Sequence, residues 1–158
     1  MKRFTLLALF VLPACGEDDA HAHESGEDLV TEACEHGADG PFEDVTAGAD
    51  AAGAPSIAFE HTGVRIALSE AARVVKFEAA EATDYVFFFS KDVPVVFTDA
   101  AGTTLPIEAT EAVEACAEIA VQHTIELPVG TAFLTFGASP EALITAVVEE
   151  AGAGHTHE

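Results

Sequence analysis

From residue 43 onward, short β-rich runs, many of them alternating between apolar and polar residues, predict a series of β-strands. Turn signals separate the runs at spacings of roughly 8–12 residues, as in antiparallel sandwiches. The predicted strands occupy residues 56–60, 64–68, 73–79, 85–90, 93–98, 103–108, 121–127, 131–136 and 144–149. The pattern predicts an all-β fold, an antiparallel, jelly-roll-like β-sandwich of eight or nine strands.

Two stretches depart from simple alternation. Residues 85–89 are an almost continuous aromatic and β-branched run, which predicts a central strand buried on both faces. Residues 108–120 are rich in Ala and Glu, which favours helix, while their flanks favour strand, so the prediction is either one short helical turn near residues 110–118 or a loop that carries Cys116.

The N-terminus carries an export signal. Lys2 and Arg3 precede an apolar run over residues 4–12, which is too short to span a bilayer of about 30 Å. Residues 1–14 are therefore predicted to be a signal peptide. An ordinary secretory signal cleaved after Ala22 is the alternative.

The end of this leader, Leu12-Pro13-Ala14-Cys15, resembles the lipobox of bacterial lipoproteins. The resemblance implies that Cys15 is acylated, for example with palmitate, and anchors the chain in a membrane. Gly16 follows it where Asp would favour the inner membrane of enteric bacteria. We expect a location in the cell envelope, at the outer membrane of a Gram-negative bacterium, facing either the periplasm or the surface.

Charge and residue size divide the remainder of the chain. Residues 16–32 are acidic and small, so residues 15–32 are predicted to form the acylated start and a flexible tether. The sandwich domain is assigned to residues 33–150. Residues 151–158, rich in Gly and His, are expected to form a loose tail.

The stretch from about 61 to 149 also resembles small bacterial jelly-roll domains of the pre-peptidase C-terminal type. Residues 84–89, 96–102 and 127–134 carry this resemblance, which implies an accessory or binding role outside the cell. The chain lacks G-x-S-x-G, a P-loop and G-x-G-x-x-G. We therefore expect no enzyme activity.

Composition narrows the range of partners. Six Lys and Arg residues stand against 28 Asp and Glu residues, giving a formal charge of −22. This balance excludes a basic surface for nucleic acid or for anionic lipid, so membrane attachment is expected only through Cys15. A hydrophobic content of 49% argues against disorder.

Two cysteines remain once Cys15 is assigned to the anchor. Cys34 and Cys116 are predicted to form a disulfide, as paired thiols of exported proteins commonly do. Metal ligation by Cys34 with His36, or by Cys116, is the alternative.

Seven histidines are the candidate chemistry. His21 and His23, like His155 and His157, lie in H-x-H-E motifs that can hold Zn²⁺ or Cu²⁺. His36, His61 and His123 are candidates for a folded three-imidazole site, with Glu35 or Glu60 nearby. The alternative is that the tail histidines are simply solvated and that the strand histidines are surface or hydrogen-bonded residues.

These patterns predict an outer-membrane lipoprotein with a non-enzymatic binding role, in which histidines capture or buffer zinc or copper. The alternative is a structural or protein-interaction module of the cell envelope, without a metal and with an unidentified protein partner.

Overall fold

The computed structural model describes residues 26–57 and 61–151. These residues form ten strands in two sheets, preceded by one helix, which confirms the predicted all-β sandwich. The elements are α1 (Gly26–Asp39), β1 (Phe42–Thr46), a 3₁₀ turn (Ala51–Gly53), β2 (Gly63–Ala67), β3 (Val74–Ala79), β4 (Thr83–Phe89), β5 (Val95–Asp99), β6 (Thr104–Leu105), β7 (Ala109–Ala112), β8 (Val121–Leu127), β9 (Gly130–Phe136) and β10 (Leu143–Glu150).

The strand order is that of a jelly roll with an extra strand at each edge of one sheet. The larger sheet has the order β1-β2-β10-β4-β8-β7 and the smaller one β3-β9-β5-β6. Without β1 and β7, four strands lie in each layer, and the chain crosses repeatedly from one layer to the other. The neighbouring strands pair antiparallel except β1 and β2, which are parallel.

Aromatic side chains fill the space between the sheets. Phe77 of the smaller sheet lies edge-on to Tyr85 and Phe87 of the larger one, with ring centroids 5.1 and 5.4 Å apart. Phe97 approaches Phe87 to 4.9 Å. Such edge-to-face pairs add to the burial of large apolar area, so they hold the two sheets together.

The opposite face of the larger sheet is also covered, which confirms that β4 is buried on both sides. Val86 and Phe88 point away from the sandwich and pack against Leu29 and Ala33 of α1. A disulfide between Cys34 and Cys116 ties α1 to the segment 113–120, with the two Cα atoms 6.0 Å apart. The predicted disulfide is therefore present.

The helix α1 differs from the sequence expectation for residues 26–32, which we assigned to the tether. Its apolar positions, Leu29, Val30 and Ala33, are spaced for one helical face and contact the sheet. Acidic residues surround them, which obscured the periodicity. Residues 1–25 and 152–158 lie outside the described residues, and with them the signal peptide, Cys15, the rest of the predicted tether and most of the predicted tail.

Of the two alternatives for residues 108–120, the loop that carries Cys116 is present and the helical turn near residues 110–118 is not. Residues 109–112 form the edge strand β7 instead, and the described segment that follows contains no helix. Pairing with β8 outweighs the helix propensity of Ala and Glu, and Gln122 donates a 2.8 Å side-chain hydrogen bond to Glu111 across the pair.

Other differences also concern the sheet edges. β1 was not predicted because it is an almost wholly exposed edge strand without apolar alternation. In the predicted strand 56–60, Ser56 forms only an isolated bridge to Lys76, and residues 58–60 lie outside the described residues.

Candidate metal centre

Three potential metal ligands converge where α1 meets the chain leading into β2. Oε1 of Glu32 lies 2.8 Å from Nδ1 of His61, and Nε2 of His36 lies 3.2 Å from the same nitrogen. Nε2 of His36 and Oε1 of Glu32 are 3.9 Å apart. Across residues 26–57 and 61–151, this is the one group of three His, Cys, Asp or Glu side chains that meets so closely.

These spacings fit a single bound ion. A zinc ion at about 2.1 Å from each ligand places two ligand atoms about 3.0 Å apart at a right angle and about 3.4 Å apart at a tetrahedral angle. The observed distances of 2.8, 3.2 and 3.9 Å lie around that range. Side-chain movements of about half an ångström would bring all three atoms into coordination.

The helix fixes the first two ligands relative to each other. Glu32 and His36 are four residues apart, so their side chains project from the same face of α1. The disulfide at Cys34 and the buried side chains of Leu29 and Ala33 hold that helix against the sheet. Glu32 and His36 are thereby set at a fixed height above the larger sheet.

The end of α1 orients the ring of His36. Gly40 adopts a left-handed backbone with φ of 77° just after the helix, and its carbonyl oxygen lies 3.1 Å from Nδ1 of His36. A carbonyl oxygen only accepts hydrogen bonds, so Nδ1 carries the proton. In the neutral ring the lone pair is then on Nε2, which faces Glu32 and His61.

A close backbone approach brings in the third ligand. A Cβ atom on Gly63 would lie only 2.6 Å from the carbonyl oxygen of His36 and 2.9 Å from the ring of Phe42. Only glycine lets the chain before β2 run directly against the end of α1, and Gly63 N–H donates to the carbonyl of Pro41 at 2.9 Å. His61, two residues earlier, has a left-handed φ of 51°.

The surroundings favour a cation. Five of the fourteen residues of α1 are acidic, and His36 is the basic group of its last turn. The helix C-terminus adds the negative end of its dipole close to His36. Oε1 of Glu32 is shielded from solvent and accepts no hydrogen bond of good geometry. An ion coordinated there would compensate for the burial of this oxygen.

The ligand set indicates a class of metal. Two imidazoles and one carboxylate suit Zn²⁺ and other divalent transition metals, whereas soft thiolate ligands are missing from the cluster. Three protein ligands leave at least one coordination position open. The side chain of His61 is 44% exposed, so this side of the site faces solvent.

The structure separates the histidines that the sequence analysis grouped. His36 and His61 meet, but His123 does not join them, so the three-imidazole site is not formed. His123 lies on β8 among the side chains that face between the two sheets, whereas α1 covers the opposite face. It is buried, with Nδ1 2.9 Å from Oγ1 of Thr110 and its ring 5.8 Å from that of Phe89.

The remaining predicted ligands do not belong to this cluster or lie outside the described residues. Glu35 is exposed and lies outside the cluster, and Cys34 and Cys116 are joined to each other, so neither thiol is available as a metal ligand. Glu60 lies outside the described residues, as do His21, His23, His155 and His157.

The ligand that sequence reasoning missed is Glu32. Its signal was the spacing of Glu32 and His36, which places a carboxylate and an imidazole on one face if the segment is helical. Assigning residues up to 32 to a tether concealed it.

Comparisons with known proteins add no family to this picture. No protein-family model matches the chain, and no curated protein matches it. Over residues 26–57 and 61–151, no helix has the length and apolarity needed to cross a bilayer.

Proposed function

We propose that this chain binds a divalent transition metal, Zn²⁺ or Cu²⁺, at Glu32, His36 and His61, in a capturing or buffering role without catalysis. The observation that carries the proposal is the convergence of one carboxylate oxygen and two imidazole nitrogens within 3.9 Å of one another. Access from the His61 side favours capture and release over a sealed structural site.

The proposed setting is the cell envelope. A disulfide that joins residues 82 positions apart is typical of proteins that fold outside the reducing cytoplasm. The leader and the lipobox-like sequence at Cys15 support export and acylation, and hence anchoring at the outer membrane of a Gram-negative bacterium.

A protein-interaction module is the second candidate. It is favoured by the outer edge of β1, which pairs with β2 alone among the described strands and offers backbone groups to a partner strand. Such a module would retain its partner after the loss of Glu32, whereas a metal-binding protein would lose its ligand.

The test is a competition titration of the full chain with Zn²⁺ against a chromophoric chelator. Glu32→Gln, His36→Ala and His61→Ala should each weaken binding roughly tenfold or more, since each removes a direct ligand. Glu35→Gln is the matched control, because it removes the same charge from the same helix at an exposed position outside the cluster. It should change affinity less than about threefold.

A second pair of variants tests the geometry with every ligand in place. Gly63→Ala should weaken zinc binding because its Cβ forces the chain before β2 away from His36. Gly53→Ala, whose Cβ would meet only an ordinary contact at 3.7 Å, should leave binding unchanged. Equal effects of Glu32→Gln and Glu35→Gln, or none from any ligand variant, would contradict the proposed function.

A further inference from the structure

A cleft lies at the end of the sandwich away from the metal centre. It has a volume of about 660 Å³, which is within the range of small-molecule sites, and it opens to solvent. His61 precedes β2 and Glu70 follows it, so the metal centre and this cleft lie at opposite ends of that strand. The residues that line the cleft are Glu70, Arg73, Ala138, Ser139 and Pro140.

Two neighbouring connections between the sheets form this cleft. One runs from β2 to β3, and the other runs from β9 to β10. Backbone hydrogen bonds join the two connections at both ends. Leu68 N–H donates to the carbonyl of Ala142 at 2.8 Å, and Phe136 N–H donates to the carbonyl of Arg73 at 3.0 Å. The side chains that line the cleft are therefore carried by backbone that is held in place.

Arg73 is the cationic side chain of the cleft. Its Nη1 donates to the carbonyl oxygen of Gly137 at 2.7 Å, and Gly137 N–H donates in turn to the carbonyl of Pro94 at 2.6 Å. Within the described residues, the half-buried Arg73 forms no ion pair, although 28 acidic residues face 6 basic ones in the sequence. Arg65, by contrast, donates two hydrogen bonds to Asp44. The remaining N–H groups of Arg73 are thus available to an external acceptor.

The other polar groups of the cleft select the kind of acceptor. Oγ of Ser139 accepts a hydrogen bond from Glu141 N–H at 3.1 Å, so its own hydrogen remains to be donated. A guanidinium fork and a hydroxyl together suit a carboxylate. Glu70 adds a negative charge at the exposed tip of the turn that the bridge between Ser69 and Ala72 closes. This charge disfavours a dianion and favours a carboxylate that also carries an ammonium group.

We propose that this cleft binds a small zwitterion of the amino-acid class, with its carboxylate on Arg73 and Ser139 and its ammonium group towards Glu70. The inference goes beyond the metal-binding role and does not depend on it. The hydrogen bond to Gly137 holds the guanidinium in place before the ligand arrives, which reduces the entropy lost on binding. Because the cleft is open to water and offers few contacts, the expected dissociation constant is on the order of 1 mM.

The experiment is a titration of the isotopically labelled full chain with L-alanine, followed by the amide chemical shifts. Propionate carries the same carboxylate without the ammonium group, and inorganic phosphate tests a more highly charged anion. L-alanine should give saturable shifts in the two connections, residues 68–73 and 137–142. Propionate should bind more weakly than L-alanine, and phosphate should give no saturable shift there.

Two variants test the roles of the charged groups. Arg73→Gln should weaken L-alanine binding roughly tenfold, because it removes the charged fork. Lys76→Gln is the matched control, since it removes the same charge from β3 outside the cleft, and it should change affinity less than about threefold. Arg73→Gln also loses the bond to Gly137, so Glu70→Gln, at an exposed turn, provides a second test. It should weaken L-alanine binding roughly threefold without weakening propionate binding.

Several outcomes overturn the inference. It is wrong if L-alanine gives no saturable shift in the two connections, or if Arg73→Gln and Lys76→Gln have equal effects. It is also wrong if phosphate binds the parent chain as tightly as L-alanine does. Equal binding of propionate and L-alanine, with no effect of Glu70→Gln, would refute it as well, because the ammonium group would then contribute nothing.

Discussion

Two kinds of histidine environment lie within one domain. His36 and His61 are partly exposed and face a carboxylate, with side-chain exposures of 17% and 44%. His123 is 5% exposed and lies between the sheets. Burial lowers the pKa of His123 below its ordinary value, and the charge of Asp92 opposes this shift in part.

The lowered pKa of His123 makes the free energy of unfolding depend on pH. In the unfolded chain this histidine takes up a proton near pH 6.5, whereas in the folded chain it does so only at a lower pH. The contribution of neutral His123 to the free energy of unfolding is therefore fully present above pH 6.5 and decreases as the pH falls below 6.5. The side chain that His123→Gln introduces does not titrate. The variant should therefore reduce the slope of unfolding free energy against pH by at most about 1.4 kcal/mol per pH unit. Denaturant unfolding at pH 7.5, 6.5 and 5.5 measures the slope, and a variant with the slope of the parent chain would contradict the prediction.

Residue types alone could not identify the whole cluster. His36 and His61 belong to the histidines that lie outside the two H-x-H-E motifs, His36 beside Cys34 and His61 in a His-Thr pair. His123 was grouped with them, but the alternation of β8 turns it to the inner face. Whether His123 and His36 lie on the same face of the larger sheet depends on which face α1 covers. The spacing of residues along the chain does not reveal this. Glu32 was missed because its spacing from His36 is a signal only if the segment is helical, and the acidic stretch up to residue 32 was assigned to a tether.

At the scale of elements, the disulfide and α1 form one supporting unit for the site. A helix of 14 residues is marginal on its own, so its position depends on packing against the sheet and on the bond to Cys116. Ile119 packs against this helix close to Gly37, whose Cβ position would lie 3.2 Å from its side chain. The positions of Glu32 and His36 therefore depend on how firmly the disulfide and the packing hold α1 against the sheet.

Removal of the disulfide should therefore weaken both folding and metal binding. Cys34→Ala/Cys116→Ala is expected to lose about 2–4 kcal/mol of unfolding free energy. Zinc affinity should also fall, because α1 no longer holds Glu32 and His36 in one position relative to His61. Denaturant unfolding and zinc competition measure the two effects. Unchanged zinc affinity in the folded double variant would show that packing alone positions the ligands.

The elements that sequence analysis identified are those with a buried face. The predicted 121–127 coincides with β8, and 73–79 and 131–136 differ from β3 and β9 by one residue at one end. The elements it missed, β1 and β7, are exposed edge strands held by pairing with a neighbour. An apolar pattern records burial, so it contains little information about strands that bury almost nothing.

At the scale of the whole molecule, the net charge of −22 gains a more specific meaning. The acidic helix α1 lies on the outside of the larger sheet and carries the candidate ligands on one face. A negative surface concentrates cations around the domain, and at the proposed site the imidazoles would favour transition metals over Ca²⁺ and Mg²⁺. The jelly roll provides the rigid support, whereas the site belongs to the helix and loop added to it.

The most direct test of this account is zinc X-ray absorption on the full chain with all four tail histidines, His21, His23, His155 and His157, replaced by Ala. In this background His36, His61 and His123 are the remaining imidazoles. With one equivalent of Zn²⁺, the account predicts two imidazole nitrogens and oxygen ligands at about 2.0–2.1 Å. Further replacement of His36 and His61 by Ala should remove the imidazole signal. A spectrum without imidazole scattering, or one that survives loss of His36 and His61, would contradict the account.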